Sequence, residues 1–258
     1  MTPAALPDLL FWFLALAATF LVGASKGGLP LVGMLAVPVM ALAMPVTTAA
    51  GLLLPLYILS DAYGLWLYRR AWSGRNVLII TAAATLGVAL GYATAAITSD
   101  ALVTLITGVI ALAYSLMALS NLAANRAARP AAVAPGLFWG TLTGFTSFVA
   151  HAGGPPFQMY VLPQRLPKMV FAGTSTISFA YINLIKLPPY WLLGQVNPAS
   201  LKTALALAPA ALAGAWAGYR LTTLLPERAF YRFVEAALLI VSLKLIWDGS
   251  AVFTSGGL

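Results

Sequence analysis

The stretch "GASKGGLPLVG", residues Gly23–Gly33, decides how the chain folds. It places a lysine and two adjacent glycines between runs apolar enough for lipid: Leu9–Val22 before it, Leu31–Ala43 after it. A charge inside such a run needs either a partner or a route to water. Glycine pairs permit a tight turn and close approach of backbone to a ligand, so the stretch reads as the break in an interrupted helix. The run Leu31–Ala43 is itself too short to cross a bilayer and is expected to be interrupted at Pro38.

The same pattern recurs. "ASKGGLP" from Ala24 matches "AHAGGPP" from Ala150, an offset of 150 − 24 = 126, and again a short run, Phe157–Leu162, follows the glycine pair. "GVALGY" from Gly87 matches "GAWAGY" from Gly214, an offset of 214 − 87 = 127. Between them "AG" at Ala50 aligns with "AG" at Ala172, an offset of 122, which sets Asp61 opposite Asn183. The expected architecture is therefore an all-α polytopic membrane protein. It consists of two inverted-topology repeats, residues 1–125 and 126–258, of about five hydrophobic elements each, with short broken or re-entrant helices after the Gly-Gly motifs.

Composition agrees: 61% of the 258 residues are hydrophobic and 8% charged, which excludes a water-soluble globule with a polar skin. The N-terminal run has no basic region ahead of it and passes directly into Ser25 and Lys26, so it reads as a retained helix and not a signal peptide. The formal net charge of +8 belongs to loops and not to nucleic-acid binding. Arg69, Arg70, Arg75, Arg126, Arg129, Arg165, Lys168, Arg220, Arg228 and Arg232 fall in or beside connections that inverted repeats put on one side. The connections near Pro45, Asp100 and Asn197 carry almost none. The positive-inside rule makes the basic side cytoplasmic and both termini periplasmic, in the inner membrane of a bacterium. The linker 121–136 is too short to fold alone.

With no cysteine and one histidine, no His/Cys metal cluster and no metal or other cofactor is expected. No nucleophile-base-acid set, Walker loop or dinucleotide fingerprint occurs, so the protein is read as a carrier and not an enzyme. The candidate substrate site combines the glycines Gly27, Gly28, Gly153 and Gly154 with the cation Lys26, with His151, and with Ser25 and Gln158 as neutral donors. Free N–H groups at the starts of the helices after the breaks would favour an anion there. Lys26 has a second reading, a lysine that snorkels to an interface, and His151 a second reading as a packing residue. Asp61, alone within "LYILSDAYGLWLY", is a coupling residue or half of an ion pair, with Lys186, one turn beyond Asn183, as the candidate partner. Gly87xxxGly91, Gly140xxxGly144 and Gly214xxxGly218 read as close helix packing.

The paired "GxxKGGLP" and "HAGGPP" segments, with "MPVTTAAGLLLP" from Met44 and "RLPKMVFAGTST" from Arg165, resemble the TauE/SafE family of sulfite exporters over nearly the whole chain. The resemblance implies transport of sulfite or a small organosulfonate. It carries the family's duplicated glycine motif onto Gly27, Gly28, Gly153 and Gly154, where His151 and Ala152 stand in place of Ser25 and Lys26 and make the two half-sites unequal. The expected partners are a small anionic substrate and the lipid bilayer, with a homodimer admissible and nucleic acid excluded. Two other readings stay open: a cation- or proton-coupled carrier using Asp61, and a membrane assembly factor.

Overall fold

The computed structural model describes residues 5–97, 99–119 and 128–254; the linker residues 120–127, Arg126 among them, lie outside the described residues. All regular structure among the described residues is helical. The first half holds α1 (Ala5–Lys26), a 3-10 turn (Val32–Leu35) running into α2 (Ala36–Ala41), α3 (Val46–Tyr68), α4 (Gly74–Ala93) and α5 (Asp100–Leu119). The second holds α6 (Val133–Ala150), α7 (Gly154–Val161) with a 3-10 turn (Leu162–Gln164), α8 (Lys168–Leu192), α9 (Pro198–Leu224) and α10 (Glu227–Thr254). Among the described residues five helices are long and apolar enough to cross a membrane: α1, α3, α4, α8 and α9. Polar side chains are turned inward, with Lys26, Asp61, Asn183 and Lys186 buried, while Phe13, Leu78, Leu205 and Trp247 are exposed. That distribution is the reverse of a soluble protein's and marks a multi-pass membrane protein.

The element after each glycine pair is short. Residues 32–41 rise roughly 15 Å and residues 154–164 about as much, half of a hydrocarbon core. Pro38 does not interrupt the first of them: it lies in the first turn of α2, where a missing N–H leaves no bond unmade. The break falls instead at Gly28, whose φ of +114° ends α1 in a conformation that side chains resist.

Close glycine contacts set the helix pairs and their directions. A Cβ on Gly23 would lie 1.9 Å from the Ala211 carbonyl oxygen, and one on Gly218 would lie 2.4 Å from that of Ala24, so α1 lies parallel against α9. Likewise Gly87 meets the Thr141 carbonyl at 2.0 Å and Gly144 that of Ala84 at 2.2 Å, so α4 lies parallel against α6. Small residues at these crossings let backbones approach in the way apolar helices associate in lipid. Gly51 meets Gln195, Asp61 meets Asn183 and Gly173 meets Ala71, which makes α3 and α8 antiparallel. Gly108 against Ile246 and Gly249 against Leu105 make α5 and α10 antiparallel.

One end of the bundle gathers basic residues. The Arg75 guanidinium donates to Ala131 O at 2.7 Å, Ser73 N–H donates to Thr174 Oγ1 at 2.9 Å, and Arg129 N–H donates to Pro163 O at 3.0 Å. The Lys168 ammonium caps α9 through the carbonyls of Thr222, Thr223 and Leu225, satisfying acceptors the helix end leaves free.

Candidate functional site

The last turn of α1 delivers Lys26 to the bundle interior. Gly27 N–H bonds back to Gly23 O, and the Tyr68 hydroxyl donates to Gly27 O at 2.6 Å, so the helix end is clamped by α3. Gly64 lets α3 close on this turn, because a Cβ there would come within 3.0 Å of Lys26 O. The lysine is 4% exposed, and its Nζ lies 2.9 Å from Asp61 Oδ1, between the rings of Tyr57 (5.1 Å) and Phe179 (5.6 Å). It does not snorkel. Asp61 Oδ2 accepts from Asn183 Nδ2 at 2.7 Å, which occupies both carboxylate oxygens. The partner of Asp61 is thus Lys26 and not Lys186: on α8 the side chain at 186 turns away toward α6.

There Lys186, fully buried, donates to Ser147 O at 2.9 Å and to Ser147 Oγ at 3.2 Å, with its Nζ 5.5 Å from the centre of the Tyr190 ring. Among the described residues no carboxylate forms an ion pair with it. Burying a cation with only neutral acceptors is costly, and an anion close by would remove that cost. His151 ends α6 in the left-handed conformation, φ 50°, and its Nε2 lies 2.8 Å from the Tyr190 hydroxyl. That hydroxyl gives its proton to Phe148 O at 2.9 Å, so the proton in the histidine contact comes from Nε2. The imidazole stacks on Tyr57, 6.0 Å between ring centres.

These groups surround a cavity of about 40 Å³, lined by Ser25, Lys26, Tyr57, Ser147, His151 and Thr176 with Gly154, Ser175 and Asn183, and walled on its apolar side by Pro30, Met34 and Phe179. On this scale one water takes roughly 10–15 Å³, so the space suits an anion of a few heavy atoms. Of the residues singled out in the sequence, Ser25, Lys26, His151, Gly154 and Asn183 line it. Asp61 and Lys186 stand behind, bonded to lining side chains.

Gly27, Gly28 and Gly153 do not line the cavity: Gly27 packs on Ala215 of α9, Gly28 against the Tyr68 hydroxyl, and Gly153 against Ser147. Gln158 also lies off it, fully buried, with neither amide atom bonded. The expected cradle of helix N–H groups is poor in α7, where Pro155 and Pro156 have none. Tyr57, Ser147, Thr176 and Tyr190 were not singled out as site residues. The "GTST" run at Gly173–Thr176 held a signal for Ser175 and Thr176, since an apolar helix has little other use for a string of hydroxyls. Among the described residues no three His, Cys, Asp or Glu gather as metal ligands.

The class defined here is a multi-pass membrane protein with charges assembled around a small internal cavity that both halves of the chain line. Residues 14–245 match the family model of the sulfite exporter TauE/SafE, and the chain belongs to that family. Membership implies a membrane exporter of sulfite or a related sulfur compound. No curated protein and no solved structure matches the chain.

Proposed function

We propose that the protein is a secondary transporter of sulfite or a similarly small sulfur oxyanion, bound in the cavity between two inverted repeats, 1–125 and 126–258, that expose it alternately to the two sides. The observation that carries this reading is the buried charge. Two buried ammonium groups, Lys26 paired with Asp61 and Lys186 bonded only to Ser147, are set against one carboxylate around a small polar cavity. The cavity favours sulfite over a bulky organosulfonate.

Helix direction supports the repeats. α3 and α8 are antiparallel, as are α5 and α10, and α1 and α4 pair with α9 and α6, each the counterpart of the other pair. Asp61 and Asn183, equivalent by their offset of 122, touch each other, as two equivalent residues do where they meet at a two-fold axis. By the positive-inside rule the end bearing Arg75, Arg129 and Lys168 is cytoplasmic, which places both termini in the periplasm of a bacterial cell. A cation site at Asp61 is disfavoured because the Lys26 ammonium, 2.9 Å away, already neutralises the carboxylate and would repel a second cation.

The test is sulfite efflux from proteoliposomes holding the purified protein. Flux above that of protein-free vesicles, abolished in Lys26→Met, is expected. Absence of sulfite flux in the wild-type protein would overturn the assignment.

A further inference from the structure

The distribution of charge around the cavity carries more than a preference for anions. Lys26 is already neutralised: its ammonium and the Asp61 carboxylate are 2.9 Å apart and both side chains are buried. Lys186 is not. Its bonds go to the carbonyl and hydroxyl oxygens of Ser147, and both are neutral acceptors. Ser147 lines the cavity, and because its oxygen accepts from Lys186, its own proton is free to point at a ligand. The Lys186 charge can therefore reach the cavity through one polarised hydroxyl. His151 has no carboxylate partner among the described residues and shares the cavity wall with the Lys26 ammonium, so it is counted neutral, and the other lining groups carry no charge. Two positive charges less one negative leave +1.

We infer that the site is charge-matched to a monovalent oxyanion, so that the species carried is hydrogensulfite, while the sulfite dianion and sulfate are refused. This rests on the anion site proposed above and adds the charge state of its occupant. A monoanion would leave the buried site neutral. A dianion would leave one negative charge without a partner, beside the apolar side chains of Pro30, Met34 and Phe179, which offer it no hydrogen bond. Sulfate is a dianion across the physiological range, so the same device discriminates against it without relying on the small difference in size. The role of the Lys26–Asp61 pair is then to offer the remaining N–H donors of the ammonium without adding net charge.

Chlorate and sulfite make the test, since the two ions are isoelectronic and pyramidal but carry one and two charges. Dissociation constants are measured by calorimetry on the purified full-length protein at a single pH just above neutral, where most sulfite is the dianion. The wild-type protein is expected to bind chlorate at least about tenfold more tightly than sulfite. Because chlorate is also the less strongly hydrated ion, the decisive quantity is how the ratio of the two constants moves with site charge.

Asp61→Asn raises the site to +2 and is expected to move the ratio toward sulfite by about tenfold or more. Lys186→Met lowers the site to zero and should weaken both ions while moving the ratio further against sulfite. The double variant Asp61→Asn/Lys186→Met restores +1 and with it the wild-type ratio. If Asp61→Asn does not fold, Lys186→Met decides alone. Equal binding of the two ions by the wild-type protein, or a ratio that stays the same in the variants, would overturn the charge match and leave the anion site standing. If neither ion binds, and hydrogensulfite at mildly acid pH does not bind either, it is the transport reading that fails.

Discussion

Separating the Lys26–Asp61 pair is the most direct perturbation of this protein. Both side chains are buried, at 5% and 4% exposure, so removing either partner strands the other away from water. In Lys26→Met the Asp61 carboxylate keeps only the Asn183 amide; in Asp61→Asn the ammonium keeps only the faces of Tyr57 and Phe179 and a weak amide oxygen. Breaking a buried pair from one side costs about 3–5 kcal/mol, whereas replacing both partners by neutral groups of similar volume is close to neutral. For a chain of this size about 1 kcal/mol shifts the unfolding midpoint by roughly 2–4 °C.

Each single variant is therefore expected to melt about 6–20 °C below the wild type in detergent, and the double variant Lys26→Met/Asp61→Asn within a few degrees of it. The coupling, read as the departure of the double variant from additivity, should be several kcal/mol. Added monovalent anion should raise the midpoint of Asp61→Asn more than that of the wild type, because it takes the place of the missing carboxylate beside Lys26. Single variants within about 1 kcal/mol of the wild type would refute the reasoning, since Lys26 would then have a route to water.

Three further outcomes follow from particular contacts. Gly28→Ala should lose about 2–4 kcal/mol, from a φ of +114° and a Cβ 2.4 Å from the Tyr68 hydroxyl; Gly194→Ala, at φ +70° with open space around it, should lose only about 1–2 kcal/mol, both read by thermal unfolding. Lys168→Met removes the cap on three carbonyls of α9 and should cost about 1–3 kcal/mol, seen as faster hydrogen exchange at that helix end while Lys186-dependent anion binding persists. Cysteines at Ser73 and Asn197 should react with a membrane-impermeant reagent from opposite sides of the membrane; labelling from one side only would contradict the orientation of α4 and α9.

Much of the helix arrangement was legible because it is written in spacing. The two Gly-Gly pairs locate both short elements, and Gly87xxxGly91, Gly140xxxGly144 and Gly214xxxGly218 each lie at a crossing where backbones touch. A fourth motif of the same kind, Gly23xxxGly27, was hidden inside the stretch read for its lysine, and it forms the α1 side of the contact with α9.

The site was less legible for a physical reason. The offset of 122 sets Asp61 beside Asn183 in the sequence alignment, and the two are hydrogen-bonded, but which lysine meets the carboxylate depends on how α8 is rotated about its own axis. Apolar residues all around a membrane helix leave that rotation unmarked. Lys186 is the candidate that its place one turn beyond Asn183 suggests, yet its turn of α8 faces Ser147, while the lysine that meets the carboxylate is Lys26 on α1, 35 positions before Asp61. Tyr57 and Tyr190 were invisible for the same reason, being aromatic residues among many, distinguished only by the carbonyls their hydroxyls find: Gly33 O at 2.6 Å and Phe148 O at 2.9 Å.

The exchange of partners between halves, α1 onto α9 and α4 onto α6, bears on how the chain is made. As the first half leaves the ribosome, the glycine faces of α1 and α4 have nothing to close on, and their docking partners are not synthesised until 100 or more residues later in the case of α9 and about 40 in the case of α6. Biogenesis must therefore hold a partly assembled bundle in lipid with these two seams open: that of α4 shuts when α6 is inserted, and that of α1 only when α9 is. A chain cut within 120–132 is expected to give fragments that are recovered folded when produced together and degraded when produced singly, which pulse-labelling of the two fragments would reveal.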